Sequence, residues 1–149
     1  VQGLTITHGY KPSDIDRMYE LEKLGFSRIF RWSKKDFVSA IKDCDVIAGV
    51  YENEIMGYVL GEVHGDTGHI VSLVVDPAYQ GRGFGRILLE EVEKFYATKD
   101  LKKIRLEVHI DNPAQMLYFK AGYRVAGFKP KYYSNGSPAI AMSKSLKKP

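Results

Sequence analysis

Residue types able to do chemistry are concentrated in the segment Gln80-Gly81-Arg82-Gly83-Phe84-Gly85-Arg86. Its alternating glycines remove the Cβ atoms that would hold a ligand away from the backbone. A nearly continuous apolar run, His69 to Val75, precedes it, which is the pattern of a central strand. An amphipathic stretch follows, with Phe84, Ile87, Leu88, Val92 and Phe95 at three- and four-residue spacing. The segment therefore joins a buried strand to a helix. The first amides of that helix have no internal acceptor and, with the helix dipole, favour an anion. Arg82 and Arg86 add positive charge. A pyrophosphate is the natural occupant, although the same glycines would also serve a tight turn.

Two nucleotide-binding readings fail on detail. A Walker A loop ends in Gly-Lys-Ser/Thr, whereas the chain reads Gly85-Arg86-Ile87. A dinucleotide fingerprint places its third glycine one residue later and an acidic residue at the end of the next strand. Here that strand ends at His109-Ile110. His8, His64, His69 and His109 are scattered without metal-ligand spacing, so they are expected to be structural or at the surface, and no metal site is predicted. Cys44, the single cysteine, lies outside every motif and excludes an intramolecular disulfide.

The elements that must position the loop can be read from spacing. Thr5 to His8 forms a first strand. Pro12 opens a helix with Ile15, Met18 and Leu21 on one face, and Ser33 caps a second helix ending near Asp43. Val46 to Tyr51 and Ile55 to Val63 pair as a hairpin, with a further turn at Gly65 to Gly68 before the strand from His69. Gly83 to Thr98 is a helix, and Ile104 to Ile110 is a strand in which Ile104, Leu106, Val108 and Ile110 alternate with charged residues. Asn112-Pro113 reads as an N-cap and first-turn proline of a helix reaching Gly122. Tyr123 to Phe128 and Ala139 to Met142 close the chain as strands. The order predicts an α/β (α+β) fold with a mixed sheet of about seven strands flanked by about four helices.

Composition fits this reading. With 149 residues, 44% apolar and 27% charged, the chain suits one globular domain over residues 1–149. No apolar run is long enough to span a bilayer and the N-terminus lacks a secretory pattern, so no membrane association and a cytoplasmic location are expected. The net charge of +4 is mildly basic, partly from the tail lysines 144, 147 and 148. No basic stripe with interleaved aromatics points to nucleic acid.

The stretch from Ile70 to Tyr133 resembles the GCN5-related N-acetyltransferase superfamily. Gln80-Gly81-Arg82-Gly83-Phe84-Gly85 matches the motif Gln/Arg-x-x-Gly-x-Gly/Ala, and Leu73-Val74-Val75-Asp76-Pro77 matches the strand leading into it. Leu106-Glu107-Val108, Leu117-Tyr118 and Gly122-Tyr123 match the second half of the site. The resemblance implies acetyl-coenzyme A as cosubstrate, held by Leu73, Val74, Val75 and Gln80 to Arg86, with amides of the splayed strand meeting the thioester oxygen. It makes Glu107 the candidate base and Tyr118 the candidate acid for the departing thiolate. Either Asp111 or Asn112 stands where the superfamily has a coenzyme-contacting asparagine, because the spacing from Glu107 to Tyr118 is one residue short; Asn112 is favoured as a local N-cap.

Within the superfamily the sequence is most similar to protein N-terminal acetyltransferases, both the ribosomal-protein alanine enzymes of the RimI type and the catalytic subunit of N-terminal acetyltransferase A. Pro130-Lys131-Tyr132-Tyr133 carries this likeness, with Gly136, Ala139 and Met142 after it. It implies that Tyr132 and Tyr133 cover the first residues of a protein or peptide N-terminus, ribosomal proteins among the candidate partners, and that Phe26 lines the same pocket. Ser137-Pro138-Ala139 replaces the Glu-Asp-Ala of those enzymes, and Gly25-Phe26-Ser27-Arg28-Ile29 replaces a Leu-Pro-Glu-Asn-Tyr segment. A lysine side chain, a polyamine or a small molecule is the alternative acceptor. Direct transfer in a ternary complex is expected, with no acyl-cysteine at Cys44.

Overall fold

The computed structural model describes residues 2–25 and 32–146. In chain order they form β1 (Thr5–His8), a 3-10 turn (Pro12–Asp14) running into α1 (Ile15–Leu24), α2 (Lys34–Lys42), β2 (Asp45–Tyr51), β3 (Glu54–His64) and β4 (Thr67–Val75). A second 3-10 turn (Pro77–Tyr79), α3 (Phe84–Thr98), β5 (Lys103–His109), α4 (Gln115–Lys120), β6 (Arg124–Lys129) and β7 (Ala139–Ser145) follow. The strands make one seven-stranded sheet in the order β1-β2-β3-β4-β5-β7-β6. Only the β4–β5 pairing is parallel. The mixed sheet with four helices is the architecture expected from the element order.

Alternation along the strands separates two cores. Val46 and Ala48 point toward α1 and α2, where they pack with Met18, Leu21, Phe37, Ile41, Tyr58 and Leu60. Ile47 between them points the other way and joins Val59, Ile70, Leu89, Val92, Leu106, Val108 and Tyr118 under α3 and α4. Helix α3 is locked on that face by Tyr96. An added Cβ at Gly61 would lie 2.3 Å from its hydroxyl oxygen, and one at Gly68 2.5 Å from its ring. Its hydroxyl donates to Asp45 on β2. Among the described residues no helix is long and apolar enough to cross a membrane.

Local chemistry explains where the elements begin. The Ser33 hydroxyl oxygen accepts the Asp36 N–H at 3.1 Å, as an N-cap should. Of the boundaries that differ from expectation, two have a plain local cause. Strand β4 starts at Thr67 inside the expected turn, because Thr67 and Gly68 pair both with His64 and Val63 and with Lys103 and Ile104. The helix expected from Asn112 starts only at Gln115. Asn112 Oδ1 accepts the Ala114 N–H two residues on, at 2.9 Å, which makes a tight turn through Pro113 in place of a helical first turn.

Candidate active site

The parallel β4–β5 pairing ends at Ile70↔Leu106. Beyond it, β4 continues to Val75 paired only with β3, and β5 continues to His109 paired only with β7. The two strands therefore splay, and a cleft of ≈ 980 Å³ opens between them. A bulge lies at the same point. Leu60 pairs with Ser72 and Gly61 with Ile70, which leaves Val71 as an extra residue in β4. It lets His69 and Ser72, an odd number of residues apart, both make polar contacts on the α1 side, with Glu107 and Glu22 respectively.

At one end of the cleft the Gln80 to Arg86 loop enters α3. Gly81 and Gly83 have φ of +79° and +86°, and a Cβ on either would meet no atom within 4 Å. Both backbones are thus bare toward open space at the start of a 15-residue helix, and Gly83 is its N-cap with no side-chain cap. That arrangement presents unpaired amides to an anion. Gly85 serves a different end, since its Cβ would stand 3.3 Å from Leu117 on α4. Leu73, Val74, Val75, Gln80, Gly81, Gly83, Phe84, Gly85, Arg86 and Asn112 all line the cleft. Arg82 does not. Its guanidinium lies 5.3 to 5.4 Å from the rings of Tyr51, Tyr79 and Phe84. Arg86 is paired with Glu90 at 3.2 Å. Asp111 is exposed and outside the lining, where Asn112 stands.

Glu107 and Tyr118 line the middle of the cleft. Leu106 and Val108 are buried under α3 and α4, so Glu107 between them faces the α1 side. Its carboxylate is 5% exposed and accepts four hydrogen bonds. Oε1 takes His69 Nε2 at 2.7 Å and the Tyr132 hydroxyl at 3.2 Å, and Oε2 takes Arg105 at 3.2 Å and Lys129 at 3.3 Å. Burial raises its pKa, but the bonds and charges of His69 and Lys129 outweigh that and hold it at about 2. Tyr118 is 6% exposed, and burial pushes its hydroxyl well above the usual range, with Tyr133 adding to the effect.

Tyr132 and Tyr133 form one wall. Their rings meet edge to face at 5.0 Å, and Tyr133 leans on His109 at 5.3 Å. The loop closes on itself through Gly136 N–H to Tyr133 O and Tyr133 N–H to Ser137 O. Leu24, Gly25 and Trp32 contribute lining from the α1 side. Phe26, expected in that wall, lies outside the described residues. Two groups in the site were not anticipated. Glu22 of α1 accepts the Tyr58 hydroxyl at 2.6 Å and the Ser72 hydroxyl at 3.0 Å, and His69 holds Glu107. The one ionisable side chain in an otherwise uncharged strand was the available signal for His69.

Residues 15–123 match the sequence profile of the Acetyltransferase (GNAT) family. The chain is a member of that family. It is an acetyl-coenzyme A-dependent N-acetyltransferase. An N-acetyltransferase of Methanocaldococcus jannaschii is 34% identical over 97% of this chain and 92% of its own. The [ribosomal protein bS18]-alanine N-acetyltransferase of Haemophilus influenzae is 26% identical over 90% of this chain and 91% of its own. The crystal structure of the ribosomal-protein-S18-alanine N-acetyltransferase from Escherichia coli superposes with a TM-score of 0.85 at 26% identity, covering 98% of this chain and 96% of that one. In this acetyltransferase the glycine loop, the splayed strands and the cleft between them suit the phosphates and the narrow thioester arm of the cosubstrate.

Proposed function

We propose that this acetyltransferase modifies the N-terminal α-amino group of proteins, by direct attack in a ternary complex. The observation that carries the reading is the Tyr132–Glu107 hydrogen bond. It places a two-tyrosine wall directly over the carboxylate that faces the acceptor, which makes a slot for an extended chain end. The relatives named above for alanine N-acetylation of a ribosomal protein support the same class of acceptor. Ribosomal-protein N-termini are therefore the first substrates to try.

Acetyl-coenzyme A supplies an activated thioester. The chain's own contributions follow from its geometry. Amides at the start of α3 and the bare backbone of Gly81 and Gly83 hold the phosphates, and Asn112 lies beside the arm. The edge of β4 from Leu73 to Val75, unpaired on its β5 side, offers N–H donors to the thioester oxygen. Glu107 accepts a hydrogen bond from the amine, directly or through one water, orienting its lone pair and balancing charge that grows on nitrogen. An α-amino group has an ordinary pKa near 8, so a sizeable neutral fraction exists at neutral pH and a strong base is unnecessary. Tyr118, kept protonated by burial, donates to the departing sulfur as the C–S bond breaks. The proton that the acylated nitrogen sheds leaves to water beside Glu107 while water returns one to Tyr118. Cys44 is held near pKa 11 by burial, aided by Glu62, Asp45 and Asp43, and does not line the cleft, so it is unsuited to carry an acyl group.

The test is coenzyme A release over peptides varying in their first two residues, with N-terminally blocked lysine peptides and polyamines as controls. Turnover of free N-termini alone is expected. Preference for the blocked lysine peptides or polyamines would overturn the reading.

A further inference from the structure

Behind Glu107, the turn end of the β3–β4 hairpin gathers three more groups. Glu62 and His64 are two apart on β3 and share a face, and His69 sits directly across from Glu62 in register. Glu62 Oε1 is 3.0 Å from His64 Nε2 and 3.2 Å from His69 Nδ1. One ligand atom from each of the three lies within 4.8 Å of the others. Among the described residues this is the one such grouping.

Hydrogen-bond direction makes the cluster more than a contact. Glu107 is ionised and can only accept, so the proton on His69 Nε2 is assigned by its 2.7 Å bond to Oε1. In a neutral ring Nδ1 then carries a lone pair, and it faces another carboxylate oxygen at 3.2 Å. That lone pair lies on the same side as Glu62 Oε1 and His64 Nε2, within 4.8 Å of both.

We propose that Glu62, His64 and His69 form a binding site for a divalent first-row metal ion of the Zn²⁺ type. A tetrahedral ion with nitrogen and oxygen ligands at about 2.0–2.1 Å sets neighbouring ligand atoms roughly 3.3 Å apart. Two of the three separations here, 3.0 and 3.2 Å, are close to that, and the third is within 4.8 Å. Two imidazoles and a carboxylate select such an ion over Mg²⁺ or Ca²⁺, which favour oxygen ligands. Glu107 supplies the carboxylate that commonly holds the far nitrogen of a metal-bound histidine, fixing its tautomer and strengthening it as a ligand. His64 is 54% exposed, so the ion has a path in from solvent, and three protein ligands leave a position for water.

Calorimetric titration of the metal-free chain with ZnCl₂ tests the site. One ion should bind per chain. Its affinity should fall about tenfold or more in His64→Ala and in Glu62→Gln. His8→Ala, which removes a histidine packed on Phe95 from the edge strand β1, should leave affinity unchanged. The exposure of His64 makes its truncation compatible with folding. Absence of saturable binding, equal affinity in His64→Ala, or displacement by equimolar Mg²⁺ would each overturn the site. The readout is metal binding alone, so failure here leaves the proposed acceptor class standing.

Discussion

The Tyr132 hydroxyl donates to Glu107 Oε1 at 3.2 Å, tying the loop after β6 to the carboxylate in the middle of β5. The loop that would cover the acceptor and the group that would orient it are thus one unit. An incoming amine must replace the tyrosine or share the oxygen with it. Glu107→Gln should therefore lower kcat by about 100-fold while coenzyme A affinity stays within about twofold. Single-turnover kinetics beside a coenzyme A titration would show the split. Unchanged kcat removes Glu107 from the chemistry.

Tyr132 should act on the acceptor and not on the cosubstrate. Its exposed ring is held edge to face on Tyr133 and under Lys129, with no part in the glycine loop. Tyr132→Ala should raise the peptide KM about tenfold, as expected when roughly 1.4 kcal/mol of binding is lost. Tyr132→Phe keeps the ring and loses only the bond to Glu107, so it should retain most of the peptide affinity. An equal rise in the coenzyme A Kd for the alanine variant would place Tyr132 with the cosubstrate.

The glycine loop was legible because its chemistry is local. Gly81, Gly83 and the first turn of α3 are neighbours in sequence, and positive φ is a property of single residues. Seven strands and four helices were legible for the same reason, through periodicity and caps such as Ser33. His69 was not. Its role depends on register with Glu62 across β3 and on an ionic neighbour from β5, and neither register is written in the strand itself. The extra residue at Val71 also breaks alternation in β4, so a face assigned by counting from Val74 fails at His69. Asn112 misled because an N-cap and a tight turn ask for the same side chain.

Gly83→Ala tests the anion end. The added Cβ meets nothing within 4 Å, so the cost lies in holding a left-handed residue at φ +86°, about 1–2 kcal/mol. A Tm lowered by roughly 2–6 °C should result. The methyl would also stand in the open space beside the backbone, so coenzyme A affinity should drop at least about tenfold, whereas peptide affinity should not. Unaltered coenzyme A affinity would move the phosphate site elsewhere.

Cys44→Ala should leave kcat within about twofold, because the thiol is held near pKa 11 and stands off the cleft. Mass spectrometry of wild-type enzyme incubated with acetyl-coenzyme A alone should show no acetyl adduct at Cys44. A stoichiometric adduct that a peptide then discharges would replace direct attack with a two-step transfer.

Asp76 ends β4 and pins it to α1. Its carboxylate accepts the Ala78 N–H at 2.9 Å and pairs with Arg17 at 2.6 Å, while its own N–H reaches Met56 O on β3. Burial pushes its pKa up, but the Ala78 and Arg17 bonds outweigh that and leave it below its ordinary value. A folded-state pKa below the unfolded one gives stability that is present above the unfolded value near 3.9 and lost as pH falls through the folded value. Asn at this position keeps the cap and removes the charge. Asp76→Asn should therefore cost on the order of 1 kcal/mol at pH 7 and progressively less below about pH 4. Urea unfolding of both proteins from pH 7 to pH 3 measures the gap; one that stays constant would mean that packing, and not the Arg17 pair, sets the cost.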